Sequence, residues 1–202
     1  MVPEVGHFAS ILALLMAITQ AVVAMLGAAR GKPSWTAVAI RAARAQFVFL
    51  VIAFCSLAYS FVNNDFTVLN VASNSHSQLP TPYRFAATWG SHEGSLLLWT
   101  LMLGLWTAAV TRFARPLPAD MVARVLGVMG TISTGFLLFM LLTSNPFLRL
   151  VPAPADGLDL NPLLQDVAMV LHPPLLYMGY VGFSVTFATS CSSGLKIGRA
   201  HV

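Results

Sequence analysis

Apolar residues in this chain come in long unbroken runs, not in the short alternating segments of membrane strands. A spanning α-helix needs about 20 mostly apolar residues. Residues 7–29, 43–63, 95–112 and 122–143 meet or approach that length. A fifth run starts near Pro173, in PPLLYMGYVGFSVTFAT. Transmembrane β-strands would alternate over segments of about 10 residues, and these runs do not. The predicted fold is therefore all-α, a polytopic transmembrane helix bundle of about five spans.

Composition supports the membrane reading and excludes a soluble one. The chain is 57% hydrophobic and 9% charged, whereas a soluble domain carries about 25% charged residues. Too little polar surface remains to cover a bundle of buried soluble helices. The net charge is +4, but the few cations lie between apolar runs, so topology explains them and nucleic-acid binding does not. The cysteines, Cys55 and Cys191, form no CxxC, zinc spacing or disulfide framework. The first apolar run is too long for a signal-peptide core and no small-residue cleavage site follows it, so it is expected to be retained.

Basic residues set the expected orientation. Arg30, Lys32, Arg41 and Arg44 cluster between the first two runs, and Arg112, Arg115 and Arg124 between the third and fourth. The remaining connections hold only Arg84 and Arg149. The N-terminus is expected outside, with the connections after runs two and four on the same side. Glu4, Asp65, Glu93, Asp156, Asp159 and Asp166 then fall outside and Asp120 inside. The inner connections are short. The outer ones, about 64–94 and 144–172, are long and rich in Asn, Ser, Pro and His, and loops of that length usually carry function.

Candidate chemistry collects on the outer side. His7, His76, His92 and His172 all map to outer helix ends or loops, and His201 lies in the tail. No histidine sits at the middle of a span, so the paired imidazoles that hold a heme b across a bilayer are absent. His172 precedes Pro173 and Pro174 in LHPPLLYMGY. Proline disfavours α conformation at the residue before it and suits the first turn of a helix. The expectation is an imidazole at the membrane boundary, off the helix, able to ligate a metal through one ring nitrogen. The alternative is an interfacial histidine that ends a loop.

A second cluster is TWGSHEGSLLLW, with Trp89, His92, Glu93, Ser95 and Trp99. It reads as a docking element of an outer site or as a capped helix entrance with interfacial tryptophans. A third, DLNPLLQD, with Asp159, Asn161, Gln165 and Asp166, reads as a surface loop with a short amphipathic helix. Arg84 and Arg149 are the outer cations. A heme site needs a histidine, apolar or aromatic walls and one or two cations for the propionates. The outer face offers each, as do many quinone or transporter sites.

At these residues the chain resembles the N-terminal part of the CcmF-type heme lyase subunits of bacterial cytochrome c maturation. The matching strings are PEVGHFA, VNNDFTVLNVASNSHSQLPTPYRFAATWGSHEGSLLLW, MVARVLGVMG, GFLLFMLLTSNPF and DLNPLLQDVAMVLHPPLLYMGYVGFSV, over about residues 1–189. The resemblance implies a multi-pass protein of the bacterial inner membrane whose functional loops face the periplasm. It implies a subunit that receives heme b from a membrane-anchored heme chaperone and helps attach it to apocytochrome c, beside a thiol-handling subunit of the lyase complex. It implies His172 as a heme axial ligand, with Trp89, His92, Glu93, Arg84 and Arg149 as candidate heme-binding neighbours. Catalysis would be ligation and positioning, with no acid–base residue in this chain.

The family's Trp-rich heme-binding loop, its second outer axial histidine and its membrane-embedded histidine pair lie further along than this chain extends. The stretch is therefore expected to be inactive alone. The ending SCSSGLKIGRAHV departs from the family's apolar continuation, so 190–202 is expected to be a non-native tail. A paralogue dedicated to a nitrite-reductase cytochrome fits the same strings. A proton- or quinone-handling respiratory subunit would need ionisable residues lined up across the spans, and a secondary transporter broken, repeated helices near the midplane. The sequence shows neither.

Overall fold

The computed structural model describes residues 1–113 and 117–200, except the side chains of Met169 and of residues 194–200. Helices α1 (Val2–Arg30), α2 (Pro33–Val62), α5 (His92–Phe113) and α6 (Ala119–Thr143) are each long and apolar enough to cross a membrane. Two short helices, α3 (Leu69–Asn74) and α4 (Thr81–Ala87), lie between α2 and α5. A 3-10 turn at Pro162–Leu164 precedes the long helix α7 (Val167–Ala200). No strand occurs among the described residues. The all-α transmembrane bundle is as expected, with four helices qualifying as spans and α7 packed beside them as a fifth long helix.

Several boundaries differ from the sequence reading. The link between α1 and α2 is only Gly31 and Lys32, so Arg41 and Arg44 belong to α2. Gly31 takes the left-handed conformation, φ 61°, and its N–H donates to the Gly27 carbonyl, a helix stop that glycine makes without strain. Pro33 then opens α2 at a position where a missing N–H costs nothing. Arg115, His201 and Val202 lie outside the described residues, and α7 continues as helix through Ala200.

Small residues set how closely the spans pack. The buried face of α1 reads Pro3, Gly6, Ala9, Ser10, Ala13, Ala17, Gln20, Ala24 and Gly27, with one larger side chain in the row. In lipid, where apolar burial between helices gains little over burial in acyl chains, close backbone approach supplies the packing energy. On α6, a Cβ at Gly130 would sit 2.8 Å from the Ala21 nitrogen and 3.1 Å from its Cα. One turn away the Gln20 amide donates to the Leu126 carbonyl at 2.7 Å. Leu50, Leu57 and Phe61 of α2 fill the core beside this seam with Leu97, Leu137 and Met140.

The antiparallel order sorts polar groups to two ends. At one end Arg44 donates to the hydroxyl and carbonyl of Thr111 at 3.1 and 3.4 Å, and Arg124 pairs with Asp120 at 3.1 Å. Arg30 and Lys32 lie over the Trp35 ring, 5.2 and 5.9 Å from its centroid. At the other end the two long connections fold onto each other as a cap. The Leu69 N–H donates to Leu148 and the Leu150 N–H to Thr67, both at 2.8 Å, around a bridge between Val68 and Arg149. The Leu158 N–H donates to the Ala72 carbonyl at 2.7 Å. The stretch 64–94 is thus ordered, with two helices inside it.

Two glycines on one helix test the seam. Gly130→Ala should cost about 1–3 kcal/mol, as overpacking against backbone does. Gly135→Ala, whose Cβ meets nothing within 4 Å, should be neutral or stabilise by up to about 1 kcal/mol through helix propensity. Thermal unfolding in detergent reads both, and equal shifts would contradict a close α1–α6 contact.

Candidate functional site

Four imidazoles stand at the cap end, and three of them are occupied. The Asn145 side-chain amide donates to His7 Nδ1 at 3.0 Å, and Phe147 meets the ring edge-on. His76 accepts from the Gln78 N–H at 3.1 Å and places Nε2 3.2 Å from Asp159 Oδ1. His92, at the start of α5, is edge-on to Phe139 of α6 with centroids 6.3 Å apart. His172 is exposed and forms no hydrogen bond, ion pair or ring contact with the described residues.

His172 sits inside α7, contrary to the expectation that proline would keep it off a helix. The helix starts at Val167, and Pro173 and Pro174 are its seventh and eighth residues. Asp166 supplies the start: its carboxylate accepts from the Ala168 N–H at 2.8 Å and its carbonyl from the Val170 N–H at 2.9 Å, the usual action of an aspartate at a helix N-cap. The second acid in DLNPLLQD is therefore a cap. Asn161 similarly caps the 3-10 turn, accepting from the Leu163 N–H at 3.0 Å.

Tryptophans dock α7 onto the bundle. Trp89, in the turn before α5, donates its indole N–H to the Val170 carbonyl at 3.2 Å. Its ring is stacked on Phe54 of α2, centroids 6.5 Å apart, and meets Phe85 of α4 edge-on at 5.3 Å. Trp99 stacks on Tyr177 of α7 at 5.8 Å with rings 4° from parallel. Trp106 donates to the Met178 carbonyl at 3.0 Å. The sequence reading flagged Trp89 and Trp99 but missed Trp106. Its seven-residue spacing from Trp99, which keeps both on one helix face, was the available signal.

The other expected neighbours do not gather at His172. Arg84 donates to the Leu79 carbonyl at 2.6 Å and to the Val62 carbonyl at 3.1 Å, tying α4 to the end of α2. Arg149 pairs with Glu4 at 2.6 Å and Asp65 at 3.3 Å and also donates to the Thr67 hydroxyl. Glu93 lines a cavity of about 140 Å³ with Asn70, Asn74 and Asn145 under the cap. Trp89 and His172 are thus brought to one helix start, while both outer cations are committed to the cap. Among the described residues no three His, Cys, Asp or Glu side chains form a metal cluster.

The cap has its own electrostatics. The Ser77 hydroxyl and N–H donate to the Asp156 carboxylate at 2.6 and 2.9 Å, and the Gly157 N–H donates at 2.8 Å. These donors, the Ser77 hydroxyl foremost, hold Asp156 below the ordinary carboxylate range.

Four helices able to span a membrane, a hydrogen-bonded cap and a histidine unpartnered among the described residues on a docked fifth helix define a polytopic membrane protein. The comparisons agree. The family model described as cytochrome c assembly protein matches residues 89–197, from Trp89 through α5, α6 and most of α7. The chain belongs to the cytochrome c assembly protein family. It is 60% identical over 189 residues to the cytochrome c-type biogenesis protein CcmF of Pseudomonas aeruginosa, covering 93% of this chain and 29% of the relative. It is 54% identical over 197 residues to CcmF of Escherichia coli strain K12, covering 97% and 30%. A solved cytochrome c heme lyase CcmF superposes with a TM-score of 0.84 at 26% identity, over 96% of this chain and 30% of that one. The chain thus spans about 30% of the length of these relatives.

Two outcomes check the cap. Arg84→Lys keeps the charge but not the two-carbonyl fork, and should lower stability by about 1–3 kcal/mol. A stability unchanged by calorimetry would show the guanidinium is not used this way. A carboxylate lowered by folding contributes stability that is present above its unfolded pKa and lost as pH falls through its folded one. Ser77→Ala should therefore move the onset of acid-induced proteolysis in residues 144–166 to higher pH, and an unmoved onset would contradict the Ser77–Asp156 contact.

Proposed function

We propose that this chain forms the N-terminal transmembrane part, residues 1–189, of a heme lyase subunit, and that His172 is an axial ligand to heme iron at its outer end. One observation carries the reading. Three of the four cap-end imidazoles are engaged by neighbours, and His172 alone is exposed with no partner among the described residues. A neutral imidazole with a free ring nitrogen is the group that iron requires. The surroundings fit a flat apolar ring. Leu171 and Leu175 are exposed beside His172, and the site lies at the start of a long helix packed against the spans.

The heme is the substrate in this reading. It is heme b, received from a membrane-anchored chaperone and passed to apocytochrome c beside a thiol-handling subunit. His172 would hold the iron while the porphyrin edge stays accessible, so that the contribution is proximity and orientation. The cap end would face the periplasm of a bacterial inner membrane. That orientation is supported by Arg30, Lys32, Arg41, Arg44, Arg112 and Arg124 at the opposite end, since cytoplasmic ends carry the excess of Lys and Arg. Arg84 and Arg149 have cap partners already, so propionate neutralisation falls to residues elsewhere in a complete site. Trp89, His92 and Glu93 act in this reading through the structure that surrounds α7.

The test is a chimaera in which residues 1–189 replace the matching part of the P. aeruginosa relative. His172→Ala should reduce purified heme per protein and cytochrome c maturation by at least tenfold, while His76→Ala and His92→Ala stay within about threefold. Unchanged heme and maturation in His172→Ala would remove His172 from the site.

A further inference from the structure

The start of α7 lacks helical donors at two carbonyls and has a replacement at one of them. In an uninterrupted helix the Val170 carbonyl accepts from the N–H of residue 174. Residue 174 is proline, which has no N–H and crowds the carbonyl four residues before it. Pro173 withholds the preceding bond, that to residue 169, in the same way. The turn carrying His172 is thus joined to the rest of α7 across two missing hydrogen bonds, where helices kink and hinge. The Val170 carbonyl belongs to a half-buried residue, and an acceptor shielded from water is costly to leave unpaired.

The Trp89 indole N–H reaches that carbonyl at 3.2 Å. Its own placement is determined from several directions. Phe54 of α2 and Phe85 of α4 hold its ring. Backbone bonds Trp89 N–H to Ala86 at 3.1 Å and Gly90 N–H to Ala87 at 3.0 Å fix the turn. The second long connection packs on that turn so closely that a Cβ on Gly90 would be 3.1 Å from Leu160 and Leu164 methyls. Trp89 is therefore a fixed donor, anchored to α2 and α4, facing the proline-interrupted turn of α7.

We infer that Trp89 is a positioning residue for His172: its indole N–H supplies the hydrogen bond to the Val170 carbonyl that Pro174 withholds, and so sets the aim of the turn bearing the imidazole. The inference rests on the reading of His172 as an iron ligand. It explains why a proline pair can follow that histidine directly. The prolines free the turn from the register of the helix below, and the tryptophan fixes it in another register. Trp89 touches no iron in this account and acts only through the backbone.

The test uses the same full-length chimaera, with four variants and two readouts, heme per protein and the heme absorption spectrum. Trp89→Phe keeps an aromatic ring between Phe54 and Phe85 but loses the donor. It should lower heme content at least fivefold and shift the ligand-sensitive bands. Pro174→Ala returns an N–H to the helix and should leave heme within twofold of the parent. The double variant Trp89→Phe with Pro174→Ala should recover to within twofold, because the carbonyl regains its helical partner. His172→Ala should lose heme in every background. If Trp89→Phe accumulates poorly, the comparison is made per folded protein after gel filtration, and recovery in the double variant remains the deciding arm. Parental heme content and spectrum in Trp89→Phe, with heme lost in His172→Ala, would overturn the inference and leave the ligand reading standing. Loss in Trp89→Phe with no recovery in the double variant would also overturn it. Full heme content in His172→Ala would overturn both.

Discussion

The close approach of α1 to its neighbours is the contact on which the outer end is built. A row of alanine, glycine and serine lets the backbone of α1 lie against α6, with a Gly130 Cβ excluded by the Ala21 backbone itself. Because lipid offers apolar side chains the same environment as a protein interior, that approach and the Gln20 hydrogen bond to Leu126 hold the pair together. The consequence is felt at the cap. With α1 in this register, His7 meets Asn145 and Glu4 meets Arg149, both from the connection after α6. A shift of one turn along α1, about 5.4 Å, would undo both contacts.

From that seam the outer end divides its polar groups into two sets. One set builds the cap: Arg84 on two carbonyls, Arg149 between two carboxylates, Asp156 on Ser77, His76 on Asp159. The other is His172, set at the start of a helix docked by Trp89, Trp99 and Trp106. The division matters to the proposed ligand role, which needs an imidazole free of competing partners, whereas the cap residues named here are each held by theirs. The cytochrome c assembly family model begins at Trp89, so the docking elements and the histidine fall together within the matched region.

The bundle was legible because membrane spans announce themselves by length and apolarity, and α1, α2, α5 and α6 are each helical where the runs lie. The cap-end grouping of His7, His76, His92 and His172 was legible too, since alternation of short and long connections determines which ends meet. The start of α7 was not. Proline's local preference placed His172 off the helix, and a tertiary contact outweighed it: with Asp166 capping the start and Trp89 accepting the burden of a missing bond, the helix begins six residues earlier. The roles of Arg84 and Arg149 were hidden for a related reason. Their partners are backbone carbonyls or acids far apart in sequence, Val62 for the one and Glu4 for the other, and no spacing rule connects them. Arg41 lies within α2 because the link between the first two helices is only Gly31 and Lys32, a boundary that hydropathy does not mark.

The central claim is that the cap, and with it His172, faces outside while the arginine-rich end faces the cytoplasm. Single cysteines at Ala155 in the cap and at Ser34 at the opposite end, both exposed, can be placed in a Cys55→Ser, Cys191→Ser chimaera. A membrane-impermeant maleimide applied to cells with permeabilised outer membranes should label position 155 at once and position 34 only after lysis. Labelling of position 34 before lysis, with 155 protected, would put the histidine on the cytoplasmic side and contradict the account.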